Sequence, residues 1–295
     1  MSDFRLKVFL SVAKNLSFTK ASQELFVSQP AITKHIQELE ATYQTRLFDR
    51  QGSKISLTES GRLLLEHCER ILEDYKRLEY EMHLLHNEYI GELKLGASTT
   101  IAQYVLPPLL GSFIGKFPQV NLSLLNGNSR EIEAALQEHR IDLGLVEGVF
   151  RLPNLKYTTF LEDELVAVVH SKSRLQLPEE ITPQDLPAIP LVLRERGSGT
   201  LDVIERSLQK HGVKLSSLHV LMYLGSTESI KLFLENSDCM GIVSIRSICK
   251  ELAAGTFRVV EIKDMPMLRD FCFVQLQGQE GGLSQAFMNY MFMSR

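Results

Sequence analysis

The chain is poor in the residues from which most enzyme sites are built. Its four cysteines, Cys68, Cys239, Cys249 and Cys272, form no C-x-x-C pair and have no histidine at zinc-ligand spacing. Reduced, mostly buried thiols and no metal centre are expected. No G-x-S-x-G or H-E-x-x-H occurs. Gly91 and Gly96 have the spacing that opens a phosphate-binding loop, but Ala97 stands where such a loop needs lysine. The eight histidines are scattered, among them His35, His67, His83 and His86, and none sits in a carboxylate arrangement suited to proton transfer. A non-enzymatic chain with no catalytic residue and no cofactor follows. Long apolar runs are also missing, and Asp3, Arg5, Lys7 and Lys14 charge the first predicted helix, so neither a signal peptide nor a membrane span is expected and the default location is cytoplasmic.

An excess of positive charge is absent as well: the net charge is −4, unlike that of a protein that merely coats nucleic acid. The distribution is uneven. Over residues 1–58 eight Lys and Arg face five Asp and Glu, giving a weakly basic head on an acidic remainder, a balance suited to site-specific binding. At 295 residues, 44% hydrophobic and 23% charged, the chain has room for a small head, a helix and a sizeable core.

Within that head, residues 17–50 read as two short amphipathic helices joined by a tight turn. The first runs from about Thr19 to Leu25, with Ala21 and Leu25 inward, and Phe26 and Val27 close the turn. Ser28 can cap the second, and Pro30 in the first turn costs no internal hydrogen bond. Ile32, Ile36 and Leu39 share one buried stripe, while Gln29, Thr33 and Gln37, with Pro30 and Lys34 beside them, form the outer face. A preceding helix with Leu6, Phe9, Leu10 and Ala13 at helical spacing supplies the third wall. Gln51-Gly52-Ser53-Lys54, between Leu47-Phe48 and Ile55-x-Leu57, reads as a two-stranded wing with a basic tip. The bland alternative is a three-helix packing unit with solvated surface charges. The sharper reading is double-stranded DNA recognition: Gln29 and Thr33 to base edges, Pro30 in apolar contact, and Lys34 to phosphate, with Ser28 and Gln37 beside them.

These residues resemble the N-terminal module of LysR-type transcriptional regulators. The match runs through Ser17, Phe18, Thr19, Ala21, Leu25, Ser28, Gln29, Pro30, Ala31, Ile32, Thr33, Ile36, Leu39, Glu40, Leu47, Phe48 and Arg50, and departs at Tyr43-Gln44-Thr45, where the family usually has a Leu-Gly pair. The resemblance implies that the wing follows the DNA backbone, giving Arg50, Ser53 and Lys54 a phosphate role.

From Thr58 onward Leu64, Cys68, Ile71, Tyr75, Leu78, Met82, Leu85 and Tyr89 alternate steps of four and three, a heptad seam that calls for one facing helix. The expected partner is a second copy of the chain; the alternative is packing onto the chain's own C-terminal domain. The resemblance implies the former, an antiparallel pair of linker helices in a homodimer or homotetramer, with RNA polymerase as a further partner.

Beyond Tyr89, short apolar runs alternate with helical stretches, which predicts an α/β domain with a largely parallel sheet. Candidate strands begin at Glu92, Val120, Asp142, Glu164, Pro190, Val220, Gly241 and Arg269, with helices over Ser129–Glu138, Leu201–His211, Ser226–Asn236 and Ser284–Met293. Three strand-to-helix junctions carry hydroxyls or amides beside backbone donors: Ala97-Ser98-Thr99-Thr100, Asn126-Gly127-Asn128-Ser129 and Gly197-Ser198-Gly199-Thr200. A small anion would suit them. Ordinary N-caps and turns are the alternative. The resemblance implies a periplasmic-binding-protein-like effector domain in two subdomains, residues 91–162 with 268–295 and residues 163–267, joined by two crossovers. The whole then divides into a winged helix-turn-helix over 1–58, a linker helix over 59–89 and an effector domain over 90–295. It also implies that Ser98, Thr99, Thr100, Ser129, Ser198, Gly199 and Thr200 surround a small-molecule co-inducer. The wording A-S-T-T-I and R-E-x-G-S-G-T looks most like members governing sulfur assimilation and carbon fixation. Peroxide-sensing members carry their reactive cysteine in the loop that here reads Arg196 to Thr200 without one, so thiol sensing is not expected. An enzyme or a free-standing solute-binding protein built on the same α/β domain is the rival reading.

Overall fold

The computed structural model describes all residues except 1–3, 52, 53, 86–88, 149, 150, 279, 280 and 295. It divides into two compact units, Met1–Glu88 and Tyr89–Arg295.

In the first unit α1 (Phe4–Asn15), α2 (Phe18–Glu24) and α3 (Gln29–Tyr43) surround one core. The starts of α2 and α3 are capped from their own sequence. Ser17 Oγ accepts the Lys20 N–H at 3.2 Å and Ser28 Oγ accepts that of Ala31 at 3.4 Å. Gln44 ends α3 in the left-handed region, φ 50°, so the departure from Leu-Gly at this turn still closes the helix. Phe9 and Phe18 close on Phe48, with ring centroids 5.5 and 5.9 Å away. Phe48 opens β1 (Phe48–Gln51), which pairs antiparallel with β2 (Lys54–Leu57).

Helix α4 (Glu59–Leu85) completes the unit and revises the expected seam. Its first turns belong to the head. Leu64, Leu65 and Leu72 pack on the core, and Cys68 is fully buried with its thiol donating to the Leu6 carbonyl at 3.3 Å. Burial, then the charge of Glu69, pushes that thiol up to about 12. Tyr89 belongs to the second unit, where its ring packs at a tilt on Phe117 with centroids 4.5 Å apart. Ile71, Leu78 and Met82 remain exposed.

The second unit is built on β3 (Gly91–Ser98), α5 (Leu106–Lys116), β4 (Val120–Gly127), α6 (Ser129–Gln137), β5 (Leu143–Glu147), β6 (Leu155–His170), β7 (Glu180–Ile181), β8 (Leu191–Arg194), α7 (Gly199–Lys210), β9 (Val220–Leu224), α8 (Thr227–Glu235), β10 (Met240–Ser244), α9 (Cys249–Ala253), β11 (Phe257–Ile262), β12 (Met267–Leu276) and α10 (Gly282–Met293). A π-helical turn, Ile101–Val105, joins β3 to α5.

The sheet runs β4-β3-β5-β12-β6-β10-β8-β9 and is mixed, which corrects the largely parallel expectation. β3 is parallel to β4 and β5, and β8 to β9 and β10. Between these two parallel groups β12 runs antiparallel to β5 and β6, and β6 antiparallel to β10 and β11. Helices pack on each flank, which gives separate apolar clusters: one around Ile132 and Leu136 of α6, one around Ile204 and Leu208 of α7, and one around Ile230 and Leu234 of α8.

β6 starts at Leu155 rather than Glu164; its first half, with Thr158, Thr159 and Glu162, is polar enough to hide the strand. β6 and β12 pair from Leu155↔Leu276 to Leu165↔Met267, with a register shift between Phe271 and Cys272, and so run side by side between the two parallel groups.

The division of α4 generates a prediction. Leu64→Glu should unfold the head, because an unpaired charge in an apolar core is costly, whereas Leu78→Glu should leave the head folded and halve the mass seen in sedimentation. An unchanged mass for Leu78→Glu would place the partner elsewhere.

Candidate functional site

The outer face of α3 is positioned by its own cap. Gln29, Pro30, Lys34 and Gln37 are exposed and Thr33 is half-buried, while Ile32, Ile36 and Leu39 on the other side are buried. Thr33 Oγ1 donates to the Gln29 carbonyl at 3.1 Å, and Thr19 Oγ1 donates to Gln29 Oε1 at 3.3 Å. The Gln29 amide is thereby held from α2, with its –NH2 group turned to donate elsewhere. Ser28 is exposed and spends its hydroxyl on the cap. Arg50 and Lys54 lie in β1 and β2 on either side of the wing turn; Ser53 lies outside the described residues.

The three strand-to-helix junctions of the second unit turn out to differ. At Asn128 the helix start is satisfied internally: Asn128 Oδ1 accepts the Glu131 N–H at 3.0 Å, Glu131 Oε2 accepts that of Asn128 at 2.9 Å, and the Gly197 carbonyl accepts that of Arg130 at 3.3 Å. Ser129 Oγ donates to the Glu147 carbonyl at 2.7 Å. At Ser198 the hydroxyl donates to the Glu195 carbonyl at 2.9 Å and accepts the Leu201 N–H at 3.2 Å. The first junction has no such cap. Thr99 Oγ1 donates to the Gly127 carbonyl at 3.3 Å, and the Thr100 hydroxyl is buried without a hydrogen-bond partner among the described residues.

Facing that junction is a side chain that the sequence reading missed. Arg194, at the end of β8, is 1% exposed. Its Nη2 donates to Thr99 Oγ1 at 3.3 Å, and its Nε and Nη2 donate to the Glu195 carboxylate at 2.8 and 3.0 Å. Its Nη1 has no partner among the described residues. A cavity of about 260 Å³ opens beside it, lined in part by Thr99, Gln103, Asn126, Asn128, Glu195 and Ser226.

Ser98, Gly199 and Thr200 belong to a second buried assembly. Ser98 Oγ donates to Glu147 Oε2. Arg269 places Nε 2.8 Å from Asp163 Oδ2, donates from Nη1 to Thr200 Oγ1 at 2.9 Å, and lies 3.5 Å from Glu147 Oε1. Ser244 Oγ donates to Asp163 Oδ1 at 2.7 Å. Gly199 rests on the Glu147 backbone, where a Cβ would overlap the carbonyl oxygen. Glu147, Asp163 and Arg269 were also missed, although Glu147, like Arg194, ends a fully buried apolar strand, a pattern visible in sequence.

Between the π-helical turn after β3 and α8 the Tyr104 hydroxyl donates to Glu228 Oε1, and Lys231 Nζ donates to Glu228 at 3.0 Å and to the Ser247 carbonyl at 3.1 Å. Burial and the bond to Glu228 raise the Tyr104 phenol. Burial alone would raise the Glu228 carboxyl, but the hydrogen bonds from Tyr104 and Lys231 hold it below the usual carboxylate range.

The family model described as "LysR substrate binding domain" matches residues 86–292, and that described as "Bacterial regulatory helix-turn-helix protein, lysR family" matches residues 4–62. Among curated relatives, the HTH-type transcriptional regulator CysL of Bacillus subtilis (strain 168) is 29% identical over 91% of this chain and 89% of its own length. The RuBisCO operon transcriptional regulator of Acidithiobacillus ferrooxidans is 30% identical over 98% and 92%. Among solved structures, the Synechocystis PCC6803 CcmR regulatory domain in complex with 2-PG is 28% identical, with a TM-score of 0.62, over 69% of this chain and 97% of that one.

The contact of Gly199 with Glu147 can be tested directly. At the first position of α7 alanine would ordinarily favour the helix, yet Gly199→Ala should destabilise the second unit by about 1–3 kcal/mol, because the methyl must displace backbone. Thermal unfolding measures it; an unchanged or raised midpoint would refute the contact.

Proposed function

Because the chain belongs to the LysR family of transcriptional regulators, we propose that this ligand-responsive, sequence-specific DNA-binding regulator reads duplex DNA with Gln29, Pro30 and Thr33 and senses a small oxyanion at Thr99, Thr100 and Arg194. Lys34, Arg50, Ser53 and Lys54 take phosphate, and Ser28 and Gln37 border the reading face. Ser98, Ser129, Ser198, Gly199 and Thr200 frame the ligand cleft rather than contact its contents. The observation that carries the ligand reading is the pair of buried donors left open at one junction, the Thr100 hydroxyl and Arg194 Nη1. A relative whose regulatory domain was solved with 2-PG supports a small-molecule ligand in this domain.

A second copy of α4 covers Ile71, Leu78 and Met82 in the dimer. Leu124 and Leu125 on β4, with Leu221, Met222 and Tyr223 on β9, leave apolar side chains exposed on the two outermost strands of the sheet path, suited to pairing of effector domains into a tetramer. No helix among the described residues is long and apolar enough to cross a membrane, and a cytoplasmic, non-catalytic regulator is the reading that fits.

Two measurements test this reading. In binding titrations with duplexes selected from a random pool, Gln29→Ala should relax sequence preference, each good base contact carrying about 1–3 kcal/mol of discrimination. Lys34→Ala should weaken all duplexes alike and reduce the salt slope by about one; unchanged preference in Gln29→Ala would mean that another face reads. For the cleft, Thr100→Val keeps the side-chain shape and removes the hydroxyl. A reporter assay should lose its ligand response while gel shifts without ligand stay near normal, and a full response would remove Thr100 from the site.

A further inference from the structure

The guanidinium that would bind the ligand is already occupied by a carboxylate of its own chain. Glu195 follows Arg194 directly, and its two oxygens lie 2.8 Å from Nε and 3.0 Å from Nη2, a side-on, two-point contact of the kind an oxyanion ligand would make. Arg194 is 1% exposed, whereas the Glu195 side chain is 25% exposed and lines the 260 Å³ cavity. One partner is therefore locked in the protein and the other can turn into open space. The remaining nitrogen, Nη1, is buried without a partner among the described residues, as is the Thr100 hydroxyl, so the site holds its occupant without being saturated by it.

Resting on the reading of this cleft as the oxyanion site, we propose that Glu195 is a built-in competitor: an incoming oxyanion takes its place on Arg194, and only ligands that outmatch a carboxylate bind. The reasoning is one of exchange. A buried guanidinium with no counter-charge would be costly, so the ligand-free protein keeps one in place. A ligand therefore gains only the difference between its own contacts and those of Glu195. An oxyanion with three or more acceptor oxygens can satisfy Nε and Nη2 and still turn an oxygen to the Thr99, Asn128 and Ser226 side chains that line the cavity, a contact the two-oxygen Glu195 carboxylate does not make. A single-atom anion such as chloride cannot span these donors. Glu195 thus sets both the affinity threshold and the class of ligand, an oxyanion with three or more oxygens such as a phosphate or sulfate group.

The test uses the full-length protein and inorganic phosphate as probe, followed by thermal shift at constant ionic strength with chloride as the balancing anion. Glu195→Gln keeps the shape and one acceptor but removes the charge. Its half-saturating phosphate concentration should fall about tenfold below that of the unaltered protein, and the gain should vanish when Arg194→Lys is added. Glu195→Asp, which draws the carboxylate back by one methylene, should fall between the two and carries the same comparison if Glu195→Gln does not fold. Equal or weaker phosphate binding in both Glu195 variants overturns the competitor. If Arg194→Lys alone then loses the phosphate response, the oxyanion cleft still stands. A tenfold gain that survives Arg194→Lys would place the phosphate elsewhere and overturn both.

Discussion

A guanidinium with no access to water lies where the two halves of the effector domain meet. Arg269 on β12 is held by Asp163 on β6, by Glu147 at the end of β5 and by Thr200 on α7. A buried charge is tolerable only when its partners are in place, and removing one partner leaves the other stranded. Every partner here comes from a different element, so the assembly forms in one arrangement of those elements. The Gly199 contact on Glu147 and the Ser98 bond to Glu147 follow from it, since both use the strand end that Arg269 anchors.

That anchor sets the conditions for a response to ligand. The crossover strands β6 and β12 pair side by side, with a register shift at Phe271/Cys272, and the Arg269 assembly lies beside them. The contacts between the halves further out are of a different kind. Tyr104 reaches Glu228, Arg194 reaches Thr99, and the Arg130 N–H reaches the Gly197 carbonyl. These few polar contacts can exchange partners without taking the anchor apart. At the site proposed above, a ligand on Arg194 and Thr99 would alter such a contact and so have a different affinity for each arrangement, which is the requirement for any allosteric effect.

In the head the same helix serves two packing duties. Leu64, Leu65, Cys68 and Leu72 of α4 complete the core around Phe9 and Phe48, while Ile71, Leu78 and Met82 are left uncovered. The heptad spacing was legible in the sequence, but it does not say which apolar positions meet their own domain and which meet another chain. That depends on where α1 lies, and the Cys68 thiol against the Leu6 carbonyl joins residues 62 positions apart.

What the sequence determined by itself was local: the caps at Ser17 and Ser28, the Pro30 start, the buried stripe of Ile32, Ile36 and Leu39, the wing, and most strands and helices of the α/β domain. Each rests on residues within a turn or two of one another, where periodicity and capping act. Strand direction was not legible, because an apolar run has the same pattern whichever way it is paired, and so the sheet was expected to be more parallel than it is. The sequence also marked Ser98, Thr99, Thr100, Ser129, Ser198 and Thr200 as polar groups at helix starts, but could not say which hydroxyls were already spent. Only the tertiary structure decided that, by setting Arg194 against Thr99 and Arg269 against Asp163 and Thr200, across 95, 106 and 69 positions of chain. Buried contacts of that span carry no short-range signature; they exist because desolvated charges must find polar partners once the sheet has closed around them.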